Sequence, residues 1–213
     1  MSIRKIKLTL AESVSDKEQA KFFAHQLAQY WYQCTPSEIP DYIYTAKENN
    51  QLLSTVGVTF HKENHILPIR ELYQINKQGL PLDFAWENIA QFNWFFSKKK
   101  GVFPLLLLEA LRFSHKQRAK YGILQMKENI FNILSHKGFH LIQIPDATLL
   151  LKTIPDDARA YYEEDIKIHV YYFNILNNIV SIEAYIQDMM SNTIARLPIG
   201  NINEDTLSSC HSL

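Results

Sequence analysis

The sequence predicts an α/β domain built on a mixed sheet, and three observations predict it. Short segments alternate apolar and polar residues with period two, as strands do. Longer segments repeat apolar residues at helical intervals. From Ala85 to Ile144 the order reads strand, helix, strand, helix, strand, and helical crossovers of that kind join parallel strands. An antiparallel hairpin precedes this half, so the expected sheet is parallel or mixed, flanked by helices.

The elements follow in order. KIKLTLAE places Ile6, Leu8 and Leu10 on one face of an initial strand. Ser15 with Glu18 has capping-box spacing. Phe22, Phe23, His25, Leu27 and Tyr30 then recur at helical intervals, predicting a helix over Asp16 to Gln33. Beyond the break TPSEIPD, YIYTAKE and LLSTVGVTFHK are β-branched and aromatic and are separated by Asn49 and Asn50, which predicts a hairpin. ILPIRELYQI fits strand or helix. NIAQFNWFF reads as a strand, Pro104 to Arg118 as a helix, GILQM as a strand, Glu128 to His136 as a helix and FHLIQI as a strand. TIPDDARAYYEED reads as a loop or short helix, KIHVYYFNI as a last strand, and NNIVSIEAYIQDMM as an amphipathic helix. The expected organisation is a domain over 1–170, a strand and helix extension over 171–200, and a disordered tail over 201–213.

Composition excludes several classes. The 213 residues carry Lys+Arg 22 against Asp+Glu 22, so no global field draws the chain to nucleic acid or an acidic membrane. The apolar run from Val102 to Leu108 is far shorter than the ~20 residues that cross a bilayer. The amino-terminal MSIRKIKLTLAES lacks the apolar core of a secretory signal, which predicts a cytoplasmic product. Cys34 and Cys210 are too far apart for metal spacing and read as free thiols. His61 and His65 are four apart but lie between strands, so no metal is expected. No GxSxG elbow, P-loop or dinucleotide fingerprint is present.

One stretch carries a chemical expectation. After the strand ending near Ser97, the chain passes through Lys98, Lys99, Lys100 and Gly101 into a helix with Pro104 in its first turn. Proline is tolerated there because its missing amide has no helical partner. Free amides at a helix start attract an anion, and lysines add charge. The same residues also fit a solvated turn, and spacing alone leaves both readings open.

The order of elements resembles the GCN5-related N-acetyltransferase (GNAT) superfamily, whose loop after the fourth strand reads Arg/Gln-x-x-Gly-x-Gly/Ala. Lys98, Gly101 and Phe103 occupy the matching positions, and only the glycine fits. NIFNILSHKGFHLI matches the superfamily's later helix ending in Gly-Phe, here Gly138 and Phe139. Four residues before that glycine, where many members carry a general-acid tyrosine, this chain has Leu134. More narrowly, from Ile43 to Ile168 the chain resembles the thermostable hemolysin family, relatives of acyltransferases and autoinducer synthases. The pieces are LLSTVGVTF, LPIRELYQI, IFNILSHKGFHLIQIPDATLL and ARAYYEEDIKI. Where that family tends to show Glu-Val-Gly-Asn, this chain has Gln91-Phe92-Asn93-Trp94.

The resemblance implies transfer of an acyl group from a thioester, carried by coenzyme A or an acyl carrier protein, onto a small amine or amino acid. It implies donor-binding candidates Asn93, Phe95, Lys98, Lys99, Lys100, Gly101 and Val102. Glu71 is the implied base, with surface pairing to Arg70 or a lysine as its other reading. Tyr161 and Tyr162 are implied donors, with packing as theirs. A binding protein that kept the fold and lost the chemistry is the second expectation, with VSIEAYIQDMM as the face for a partner or a second copy in a homodimer. Direct cytolysis, implied only by the family name, is the third.

Overall fold

A computed structural model describes residues 6–36, 38–63, 66–76, 80–163 and 167–195. Its elements are β1 (Ile6–Leu10), α1 (Val14–Tyr32), β2 (Tyr42–Glu48), β3 (Gln51–Phe60), α2 (Pro68–Leu72), β4 (Tyr73–Ile75), β5 (Ile89–Ser97), α3 (Val102–Lys116), β6 (Tyr121–Lys127), α4 (Glu128–Ser135), β7 (Ile142–Gln143), β8 (Ala147–Leu149), α5 (Arg159–Glu163), β9 (Ile168–Asn174) and α6 (Ile175–Ala195). His65, Cys210 and the segment 201–213 lie outside the described residues.

Seven strands form one sheet in the order β1-β2-β3-β5-β6-β9-β7, and β4 pairs separately with β8. The hairpin β2–β3 turns on Asn49 and Asn50, with φ of 50° and 64°, the left-handed pair that a two-residue turn requires. Only β5 and β6 pair in parallel, and every other neighbour in the sheet is antiparallel. The sheet is thus mixed, as the sequence predicts, with its parallel part confined to β5 and β6. β9 lies between β6 and β7 and pairs antiparallel with both.

Two local boundaries also differ. Ser13, not Ser15, caps α1: its hydroxyl accepts from the Asp16 amide at 3.0 Å and donates to the Asp16 carboxylate at 2.7 Å. Ser13 is the extended residue that precedes the first turn, so the helix opens at Val14. α3 begins at Val102 rather than Pro104, since Gly101 at φ 88° takes the cap position and proline falls inside the first turn. ILPIRELYQI divides between α2 and β4.

Apolar residues cover both faces. Phe103, Leu106, Leu107 and Leu111 of α3 and Ile179, Ile182 and Ile186 of α6 pack on Val56, Val58, Phe92, Leu124 and Phe173. On the opposite face Phe23, Ala24, Leu27 and Ala28 of α1 pack on Ile43, Trp94 and Phe96. Ile69 and Leu72 of α2 extend that face over Ile89, Ile123 and Tyr172. No described helix is long and apolar enough to cross a membrane.

Candidate active site

The site begins with a defect in β5. Thr55 faces Phe96 and Gly57 faces Asn93, so Val56 is opposed by two residues, Trp94 and Phe95. Trp94 takes φ 53°, which is costly for a bulky side chain and marks a bulge that the surrounding packing imposes. The strand's alternation slips by one at this point: Phe92 packs with α3, while Trp94 joins Phe96 in the α1 cluster. Gly57 makes room for the bulge, because a Cβ there would lie 2.2 Å from Asn93 Oδ1 and 2.3 Å from Pro40 Cγ.

The bulge also parts β5 from β6. Their parallel pairing runs from Ile89–Tyr121 to Gln91–Ile123 and stops there, although β5 continues to Ser97 and β6 to Lys127. The two facing edges diverge, and a cavity of about 690 Å³ opens between them. Asn93 to Ser97 line one side and Gln125 and Met126 the other. The backbone groups of a strand edge without a neighbouring strand seek hydrogen-bond partners, and an extended ligand supplies them.

Over this opening lies the loop between α1 and β2, which brings Cys34, Thr35, Pro36 and Glu38 into the cavity wall. The Thr35 amide donates to the Asp157 carbonyl at 3.1 Å, tying the loop to the turn before α5. Gln91 Nε2 donates to the Glu38 carboxylate at 3.2 Å, while Gln91 Oε1 accepts from the Ile69 amide at 2.9 Å. Burial pushes the Glu38 carboxyl up to about 7, and the nearby Glu71 charge adds to the rise against hydrogen bonds from Gln91 and Asn93. A carboxyl poised there exchanges a proton at neutral pH, the property of a general base.

At the other end of the cavity the turn after β5 is shaped by the Ser97 hydroxyl, which donates to the Lys99 carbonyl at 3.0 Å. The three lysines part company. Lys98 extends over the Phe23 ring, 5.0 Å from its centre, and does not line the cavity. Lys99 lines it and pairs with Glu48 at 2.7 Å. Lys100 lines it beside Lys137 of the α4–β7 connection. Burial, and then the Lys100 charge, push the Lys137 ammonium down, so two cations share one small volume. Gly101, the cap of α3, completes this end, with Ile133 and Leu134 of α4 as its apolar wall.

Tyr161 and Tyr162 of α5 close the third side. Gln125 Nε2 donates to the Tyr162 hydroxyl at 2.7 Å, and that hydroxyl lies 3.1 Å from Gln125 Oε1. Tyr161 meets Tyr32 and Tyr162 edge to face, each at 5.2 Å. Burial holds both phenols above their ordinary value of 10.0. They therefore stay protonated and act as hydrogen-bond donors.

The structure thus brings Asn93, Phe95, Lys99, Lys100, Gly101, Tyr161 and Tyr162 around one cavity. It places three other candidates elsewhere. Glu71 is exposed on α2 and absent from the wall, because α2 turns that position outward while burying Ile69 and Leu72. Lys98 is drawn to the α1 face. Val102 is buried at the start of α3 as part of the core. Sequence reasoning missed Glu38 and Lys137, and the only sequence mark at Glu38 is its place between Pro36 and Pro40.

No protein-family model matches the sequence, and none of the curated proteins matches it. Solved structures do match. FeeM, an N-acyl amino acid synthase from uncultured soil microbes, superimposes with a TM-score of 0.62 at 9% identity, covering 86% of this chain and 98% of FeeM. BjaI, a coenzyme A-dependent acyl-homoserine lactone synthase solved with SAM and isopentyl-CoA, gives 0.55 at 12% identity, covering 86% of this chain and 90% of that one. A GNAT-family acetyltransferase from Staphylococcus aureus Mu50 gives 0.50 at 14% identity, covering 80% and 99%. The mixed sheet, its flanking helices and these superpositions together give the chain a GNAT-like fold.

Proposed function

We propose that the protein is an N-acyltransferase that moves an acyl group from a coenzyme A or acyl-carrier-protein thioester onto a small amine. The observation that carries this reading is the parting of β5 from β6 with Glu38 held over the gap. The extended pantetheine arm fits against the free edge of β5 from Asn93 to Ser97, and its phosphate fits between Lys100, Lys137 and the α3 amides. The amine nitrogen attacks the thioester carbonyl carbon, the new C–N bond forms, and Glu38 takes the amine proton as the C–S bond breaks. The departing thiolate accepts a hydrogen bond from a buried phenol, with Tyr161 the better placed because Tyr162 is engaged with Gln125. The likeness to the thermostable hemolysin family belongs to the same reading, since that likeness implies an acyltransferase relative.

The competing reading is a protein that binds the donor without turnover. Leu134, in the cavity wall where the superfamily places its tyrosine, favours it. The test is release of free thiol from a series of acyl-coenzyme A esters in the presence of amines, with the product identified by mass. Amine-dependent release that falls about 100-fold or more in Glu38→Gln supports acyl transfer. Thermal stabilisation by coenzyme A with no thiol release from any pair of donor and amine supports the binding reading instead.

A further inference from the structure

The cavity is polarised along its length. Among the described residues its cationic lining consists of Lys99 and Lys100 in the turn before α3 and Lys137 of the α4–β7 connection beside Lys100. At the opposite end the ionisable acid is Glu38, which is near enough to Tyr162 to raise that phenol further. From Tyr162 the wall runs on through aromatic rings: Tyr161 meets Tyr162 and Tyr32 at 5.2 Å each, and Trp31 lies beyond, 6.3 Å from Tyr32 and 5.9 Å from Phe96 near the lysine turn. The Lys127 ammonium lies 4.8 Å from the rings of both Tyr32 and Tyr161, but the residue is 1% exposed, so it backs this wall and is not part of the lining.

Building on the acyl-transfer reading, we propose that the acceptor is an arylalkyl amine, a primary amine on an aromatic body, and that a free α-carboxylate is selected against. The ammonium of such a molecule is drawn to the Glu38 carboxylate, and its ring packs on Tyr161 and Tyr32 by stacking or edge contact. An α-amino acid with the same ring brings its own carboxylate on the carbon that bears the nitrogen. Delivering that nitrogen to Glu38 holds two carboxylates side by side in a cavity partly cleared of water, where like charges repel strongly. The lysines that line the cavity are at the far end, in the place assigned to the donor's phosphate, and Lys127 stands behind the tyrosine rings rather than in the lining.

Tyramine and tyrosine differ only by that carboxylate. The test is calorimetric titration of each into the full chain saturated with coenzyme A, alongside butylamine as an amine without a ring. Tyramine binding at least about tenfold tighter than both supports the proposal. Tyrosine binding as tightly as tyramine, butylamine doing so, or no measurable heat from tyramine overturns it. In Glu38→Gln, checked for an unchanged fold by circular dichroism, the preference for tyramine over tyrosine should shrink towards parity. An unchanged preference overturns the role given to Glu38. Thiol release is read separately: its absence with tyramine and every acyl ester counts against acyl transfer, while the binding ratio still decides the class of acceptor.

Discussion

Glu38 changes charge where most carboxylates have long been ionised. Burial lifts it from 4.5 to about 7, so the acyl-transfer rate at low substrate should climb with pH through about 7, and Glu38→Gln should lose that limb. The same shift acts on stability. Between pH 4.5 and about 7 the folded chain holds the Glu38 proton more tightly than the unfolded chain does, so stability is greatest below this window and declines as pH rises through it. Urea unfolding at pH 5 and pH 8 should show wild type losing up to about 3 kcal/mol that Glu38→Gln retains. Water reaching the carboxylate through the cavity would reduce that figure. None of this is legible in CTPSEIPD, where the residue resembles any surface acid between prolines. Its environment comes from Gln91, 53 residues away, and from Asn93 beyond it.

The turn from β5 into α3 shows what a motif conceals. Three consecutive lysines read as one cationic unit, yet the backbone sends Lys98 to α1, Lys99 to Glu48 and Lys100 to the cavity. Alanine at Lys100 or Lys137 should each weaken coenzyme A binding by about three- to tenfold, with a shallower dependence on salt, whereas Lys98→Ala should leave affinity unchanged. Fluorescence or calorimetric titration at two ionic strengths separates these cases. The anion expectation at this turn came from the free amides of a helix start beside lysines, and the helix does start there, at Val102 with Gly101 as its cap. The bulge that opens the neighbouring strand has no comparable mark. Tryptophan is a poor residue for φ 53°, and its position follows from packing on α1, where Trp94 is buried with Phe23 and Leu27.

Across the whole molecule, local periodicity revealed the elements and left their arrangement open. The Asn49-Asn50 turn and the alternation around it were sufficient for the hairpin, because those interactions are near in sequence. The place of β9 was not accessible in this way, since KIHVYYFNI looks equally suited to an edge or a centre. What fixes it is a fit between distant residues. Phe173 is 0% exposed, its ring lies 5.3 Å from Phe92 and 4.8 Å from Phe139, and a Cβ on Gly122 would lie 1.9 Å from it. Gly122→Ala should therefore destabilise the fold by about 1–3 kcal/mol, measured by thermal unfolding, and a companion Phe173→Leu should recover part of the loss. The position of β9 also constrains how the chain matures on the ribosome. When residues 121–143 have emerged, β6 presents a bare edge, and β7 has no neighbour until 168–174 clear the exit tunnel. The nascent chain must hold its inner edge open until almost all of the described sequence has been translated, an interval in which a chaperone has a defined surface to guard.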